Sequence, residues 1–84
     1  MVKGSTYYAK LDAGVSLTGY TGSWNLTKDG KVVKSGIMLV TGTYVVVQFS
    51  TDDLSVGKYF LVCLVTFPDS FVQAVHEEEI NLTL

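Results

Sequence analysis

Residue types able to do chemistry are few in this 84-residue chain, and they cluster in two places. His76-Glu77-Glu78-Glu79 is the densest run of ionisable groups, and Asp52-Asp53 is an acidic pair. Side chains alternate along a strand, so His76 and Glu78 share one face while Glu77 and Glu79 take the other. One imidazole with one carboxylate falls short of the three or four protein ligands that zinc usually takes. Calcium through the glutamates would need further oxygens. The run reads instead as a solvated strand segment that blocks edge-to-edge pairing. Asp52 and Asp53 are neighbours in a loop, so they do not face each other across a cleft as glycosidase carboxylates must. A turn or capping role is expected for them.

A nucleophile needs a base and a group that orients the base. His76 is the only histidine, and nothing in the sequence places a serine beside it. There is no G-x-S-x-G, and no glycine-rich loop opens a helix as phosphate cradles do. The single cysteine, Cys63, rules out an intrachain disulfide and a thiolate metal site. Its mid-strand apolar setting is that of an inert core thiol. Asn25-Leu26-Thr27 and Asn81-Leu82-Thr83 are formally glycosylation acceptors, but both read as ordinary strand sequence. The chain is therefore expected to be non-enzymatic, with no cofactor, no metal and no small-molecule substrate.

The elements that must position these residues are strands. Val, Thr, Tyr, Phe and Ile dominate, Gly punctuates, and no segment sustains a capped 3.6-residue apolar period. Ser5–Leu11 reads as a first strand, Val15–Leu17 as a short extended piece and Gly19–Lys28 as a second strand. Asp29-Gly30 within "KDGK" has the composition of a type I′ hairpin turn, which pairs Gly19–Lys28 with Lys31–Ser35. Ser35-Gly36 is read as a break before another short strand, Ile37–Val40. Tyr44–Phe49, Lys58–Phe67 and a long Phe71–Leu84 complete the set, and Ser50-Thr51-Asp52-Asp53 has the pattern of a capped helical turn. Turn signals roughly every 8 to 12 residues predict an all-β sandwich or barrel of seven or eight short strands in one domain, residues 1–84.

Two strand positions carry more information. Trp24 is in step with Leu26 and is expected in the core, whereas Tyr7, Tyr8, Tyr20 and Tyr44 suit the boundary between core and solvent. Tyr59 follows a Gly turn at the start of a strand, the setting of a tyrosine corner whose hydroxyl ties back to the preceding loop. The strand it opens is apolar on both faces. Tyr59, Leu61, Cys63, Val65 and Phe67 point one way, and Phe60, Val62 and Leu64 point the other with Thr66. Either a neighbouring subunit covers the second face, or the Ser50–Gly57 loop or a bulge hides it from within.

Composition bounds the partners. Hydrophobic residues make up 48% of the chain and charged residues only 17%, a lean surface that suggests some apolar area is covered by another chain. The formal charge is −2, the six cationic residues are all Lys, and they are dispersed, so nucleic-acid binding is not expected. No window approaches the roughly 20 apolar residues of a membrane helix, and "MVKGSTYY" lacks the apolar run of a signal peptide. With these features and a single cysteine, the chain is expected to be made in a reducing cytoplasm.

The order of the pieces resembles a known family. "KGSTYYAKL" begins a strand, and "VSLTGYTGSWNLTKDGKVVKSG" gives Leu-Thr-Gly-Tyr and then a hairpin. "VVVQFSTDDLSVGKYFLVCLVTFPD" carries Leu54-x-x-Gly57-x-Tyr59 ahead of a long apolar strand, and "EEEINLTL" closes the chain. This succession, from about Gly4 to Leu84, resembles the small immunoglobulin-like β-sandwich structural proteins of tailed bacteriophages, including the N-terminal module of baseplate upper proteins. The resemblance implies an immunoglobulin-like antiparallel sandwich and a virion structural or assembly role in tail, baseplate or head-tail connection. Its partners would be other phage structural proteins and copies of itself, and the protein would be made in the bacterial host cytoplasm. Phe60, Val62 and Leu64 are then the candidate oligomer interface. No active-site residue carries over. The alternative is a small acidic binding module or host-factor inhibitor.

Overall fold

The computed structural model describes residues 1–84 and is all-β. Six strands follow in chain order: β1 (Thr6–Asp12), β2 (Thr21–Lys28), β3 (Lys31–Thr41), β4 (Tyr44–Ser50), β5 (Gly57–Thr66) and β6 (Val72–Leu82). All neighbours are antiparallel, in the order β1-β4-β3-β2-β5-β6, and the sheet is curled into a half-barrel. β3 is the corner of the curl. Its first part pairs with β2 as far as Gly22↔Met38, and its last three residues, Leu39–Thr41, pair with β4.

The concave face holds the core. Fifteen buried apolar residues form one cluster, with β2, β4 and β5 contributing alternate positions such as Trp24, Val47 and Leu61. An aromatic stack ties the two halves of the curl together. Trp24 of β2 stacks on Phe49 of β4 with ring centroids 4.6 Å apart, and Tyr7 of β1 stacks on Phe49 at 5.0 Å. Gly36 makes this possible. A Cβ there would lie 2.8 Å from two atoms of the Trp24 ring, so the indole lies flat against the β3 backbone.

That packing explains where sequence punctuation misleads. Ser35-Gly36 does not break β3. The glycine answers to the indole's need for space and not to a turn, so two predicted short strands are one strand of 11 residues. A register shift between Leu26 and Thr27 supplies the irregularity instead, with Val33 as the extra residue on β3. Val15–Leu17 is not a strand. Leu17 is buried as a plug, and its N–H donates to Gly42 O at 2.9 Å. Ser50–Asp53 forms turns without a helical turn: Ser50 Oγ accepts from Asp52 N–H at 3.1 Å, and Thr51 is drawn inward. The strands number six where turn spacing predicts seven or eight. The hairpin turn has Asp29 at φ 54° and Gly30 at φ 77°, both left-handed, as a type I′ turn requires.

Replacing Gly36 by alanine should force Trp24 off Phe49. Overpacking of this kind costs about 1–3 kcal/mol, so the Gly36→Ala variant should melt several degrees lower, with altered near-ultraviolet circular dichroism from the indole. An unchanged melting temperature would refute the close approach.

Candidate functional site

Two places gather polar side chains, and a third is an apolar sheet face. The first lies where the curl brings the two edge strands, β1 and β6, towards each other. Tyr7 Oη donates to Glu78 Oε1 at 2.8 Å, and His76 Nε2 lies 3.1 Å from the same oxygen. Sequence alternation put His76 and Glu78 on one face; Tyr7, 71 residues away from Glu78, joins them only through the curl. Below this clasp the chain start closes the same seam. Val2 bridges Thr83 in parallel, with Lys3 N–H donating to Thr83 O at 2.7 Å and Thr83 N–H to Met1 O at 2.9 Å.

The clasp sits against the core and is tuned by it. Burial first, then the hydrogen bond to the Glu78 carboxylate, pushes the Tyr7 hydroxyl well above its usual range. Cys63, opposite His76 in the β5–β6 register, is buried, and burial followed by the nearby Glu78 charge raises its thiol to about 11. A thiol so raised is protonated at neutral pH and a poor nucleophile. No group of three or more His, Cys, Asp or Glu side chains is placed to hold a metal ion.

The second place is the loop from β4 to β5. Thr51, fully buried, donates through Oγ1 to Ser5 O at 2.6 Å and accepts from Gly4 N–H at 3.0 Å, which pins the chain ahead of β1. Lys34 Nζ donates to Ser50 O at 2.7 Å and to Asp53 Oδ1 at 2.9 Å. The hydrogen bond from Lys34 is the main cause that lowers the Asp53 carboxyl below its ordinary value. Only Asp53 of the acidic pair is in an ion pair, with Lys34, whereas Lys3 Nζ donates to the backbone carbonyl of Asp52 at 3.4 Å. Further along, Tyr59 Oη donates to Ser55 O at 2.7 Å, and Lys28 Nζ donates to Ser55 Oγ at 2.9 Å from above the Tyr59 ring. This is a hydroxyl tied to the loop four residues upstream, at the start of β5.

The third place is the outer sheet face. Tyr59, Leu61, Cys63 and Val65 are buried inward, while Phe60, Val62 and Leu64 face outward. The Ser50–Gly57 loop packs on the inner side through Leu54 and Thr51. Phe60 is 42% exposed, and Val62 and Leu64 are half-buried. Ser23 lies between Leu64 and Ile37 in register, and Ile37 is 85% exposed. Leu39, beside Val46 of β4, extends the apolar area at 65% exposure. The sequence reading missed Ile37 and Leu39, since it broke β3 at Gly36 and so lost the pairing that aligns them with β5.

The comparisons with known proteins return no match: no family model, no curated protein and no solved structure.

Three measurements check this chemistry. Below the thiol's unfolded value of about 8.5, Cys63 is protonated in both states and pH has no leverage. Above it the unfolded chain ionises first, so stability should fall as pH rises from about 8.5 towards 11, and Cys63→Ala should flatten that fall. Folded protein should also resist a thiol reagent at pH 8; rapid labelling would refute the buried thiol. For Asp53, folded and depressed, the Lys34 contact favours folding above the ordinary carboxylate range, and its contribution is lost as pH falls through the folded value. A carbon-detected NMR titration should show Lys34→Met moving the Asp53 midpoint upward, towards the ordinary carboxylate range.

Proposed function

We propose that this protein is a non-enzymatic structural module that works by assembly, with its outer sheet face covered by copies of itself. The observation that carries the reading is the open apolar face of β5 and β3. Phe60, Val62 and Leu64 stand in one column, where Phe60 is exposed and the other two are half-buried, and Ile37 and Leu39 stand exposed in another. Burial of such side chains is favourable by about 25 cal/mol per Å² of apolar area. The molecule measures 40 × 22 × 16 Å, so a broad side of it is large enough for the roughly 800 Å² per partner of a standard interface. The column between the two apolar ones is β2's Ser23, Asn25 and Thr27, small polar groups that let a partner approach closely.

An immunoglobulin-like sandwich class for the fold, and a virion tail, baseplate or head-tail connection as the place of assembly, belong to this proposal. Their support is the resemblance of the Leu17-Thr18-Gly19 and Leu54-x-x-Gly57-x-Tyr59 segments together with the all-β antiparallel chain.

The test is light scattering coupled to size-exclusion chromatography over a concentration series, on the parent protein and on an Ile37→Lys/Leu64→Lys variant. The parent should form a discrete oligomer. The variant should run as a folded monomer, since both side chains already face out of the core. A parent that stays monomeric at high concentration, or a variant that still assembles, would overturn the reading.

A further inference from the structure

The half-barrel is closed at one end and open at the other. β1 and β6 each pair on one side only, β1 with β4 and β6 with β5, and each leaves a free edge along the seam. At the lower end the seam is held by the Tyr7–Glu78 hydrogen bond and the Val2↔Thr83 bridge. Towards Asp12 on β1 and Val72 on β6 no pairing joins the edges, and there a cavity of about 320 Å³ opens. Its floor is core, with Leu17, Val45 and Val65, and its walls are Leu11 on one edge and Val75 on the other. Nine of its eleven lining residues are hydrophobic, and its one charged residue is Asp12.

We propose that this open seam is a binding site for an extended apolar peptide segment of a partner protein, which pairs along the free edge of β6 and sets alternate side chains into the cavity. Three observations select that occupant. The first is backbone chemistry. A free strand edge presents unpaired N–H and C=O groups, and an extended peptide satisfies them where a hydrocarbon does not. On β6 the stretch Val72–Val75 is exposed throughout, Gln73 and Val75 line the cavity, and Val75 is the extra residue at the register shift opposite Cys63 and Leu64. The second is size and lining. About 320 Å³ of mainly apolar space lies at the small end of the range for ligand sites, and barrel mouths are a recurrent place for them. The third is charge. The lining has an aspartate and no lysine or arginine, which disfavours the carboxylate or phosphate head of a lipid and favours a segment with a lysine, an arginine or an amino terminus near Asp12. This seam lies between the strand edges, apart from the outer face that the assembly reading uses, so the two stand or fall separately.

The probe is a six-residue peptide that alternates valine and threonine, with one lysine at its amino end, titrated into the full-length protein and followed by ¹⁵N amide shifts. Shifts should map to Leu11, Asp12 and Gln73–Val75 and leave Ile37 and Leu39 unmoved. Asp12→Lys should weaken binding about fivefold, the scale of one exposed charge pair. Val15→Trp, at a position 58% exposed on the cavity rim, should abolish it without disturbing the core. The same peptide N-methylated at alternate residues keeps its side chains and loses its donors, so it should not bind. Equal binding of the methylated peptide would mean apolar filling without strand pairing and would overturn the proposal. So would shifts confined to the outer face, concentration-dependent shifts at the seam in the absence of peptide (a second copy as the occupant), or no saturation at millimolar peptide.

Discussion

The Trp24–Phe49 stack is the contact on which the rest of the fold depends. A six-stranded sheet left open would expose a whole apolar face, and curling it needs a contact between strands that are not neighbours. Trp24 and Phe49 supply that contact across the concave side, and Tyr7 extends it to the edge strand. Aromatic pairs add about 0.5–1.5 kcal/mol beyond the area they bury. Their larger effect here is geometric: they bring β1 round towards β6, so that Tyr7 reaches Glu78.

One consequence is a molecule with two unequal faces. The inside is satisfied, with every buried side-chain nitrogen and oxygen hydrogen-bonded. The outside is not: apolar columns on β3 and β5 meet solvent. Isolated exposed apolar residues need no explanation, but columns in register on adjacent strands are what sheet partners use. The free edges add to this. Native proteins usually blunt edges with charge, and Glu77 and Glu79 do so on β6, with Lys58 3.3 Å from Glu79. The stretch Val72–Val75 carries no charge, and its Gln73 and Val75 line the cavity.

Much of the local structure was legible. Alternation identified the inward set of β5, the Asp29-Gly30 pair identified the hairpin, and Gly57 before Tyr59 identified a hydroxyl tied back to its loop. These are local readings, because strand alternation and turn composition act over a few residues. Gly36 was misread for the same reason. A glycine in a strand signals either a turn or a close approach, and only a tryptophan 12 residues earlier decides between them.

Residue order alone is enough to read this chain as all-β, β5 as apolar on both faces, and one histidine and one cysteine as the groups with which to do chemistry. Tertiary structure decided the strand number and order, the meeting of Tyr7 with Glu78, the exposure of Ile37 and Leu39 beside β5, and the cavity at the open seam. The physical reason is range. Periodicity and turn chemistry are written in neighbouring residues, whereas closure of a curled sheet depends on side-chain volumes that meet from strands far apart in the chain.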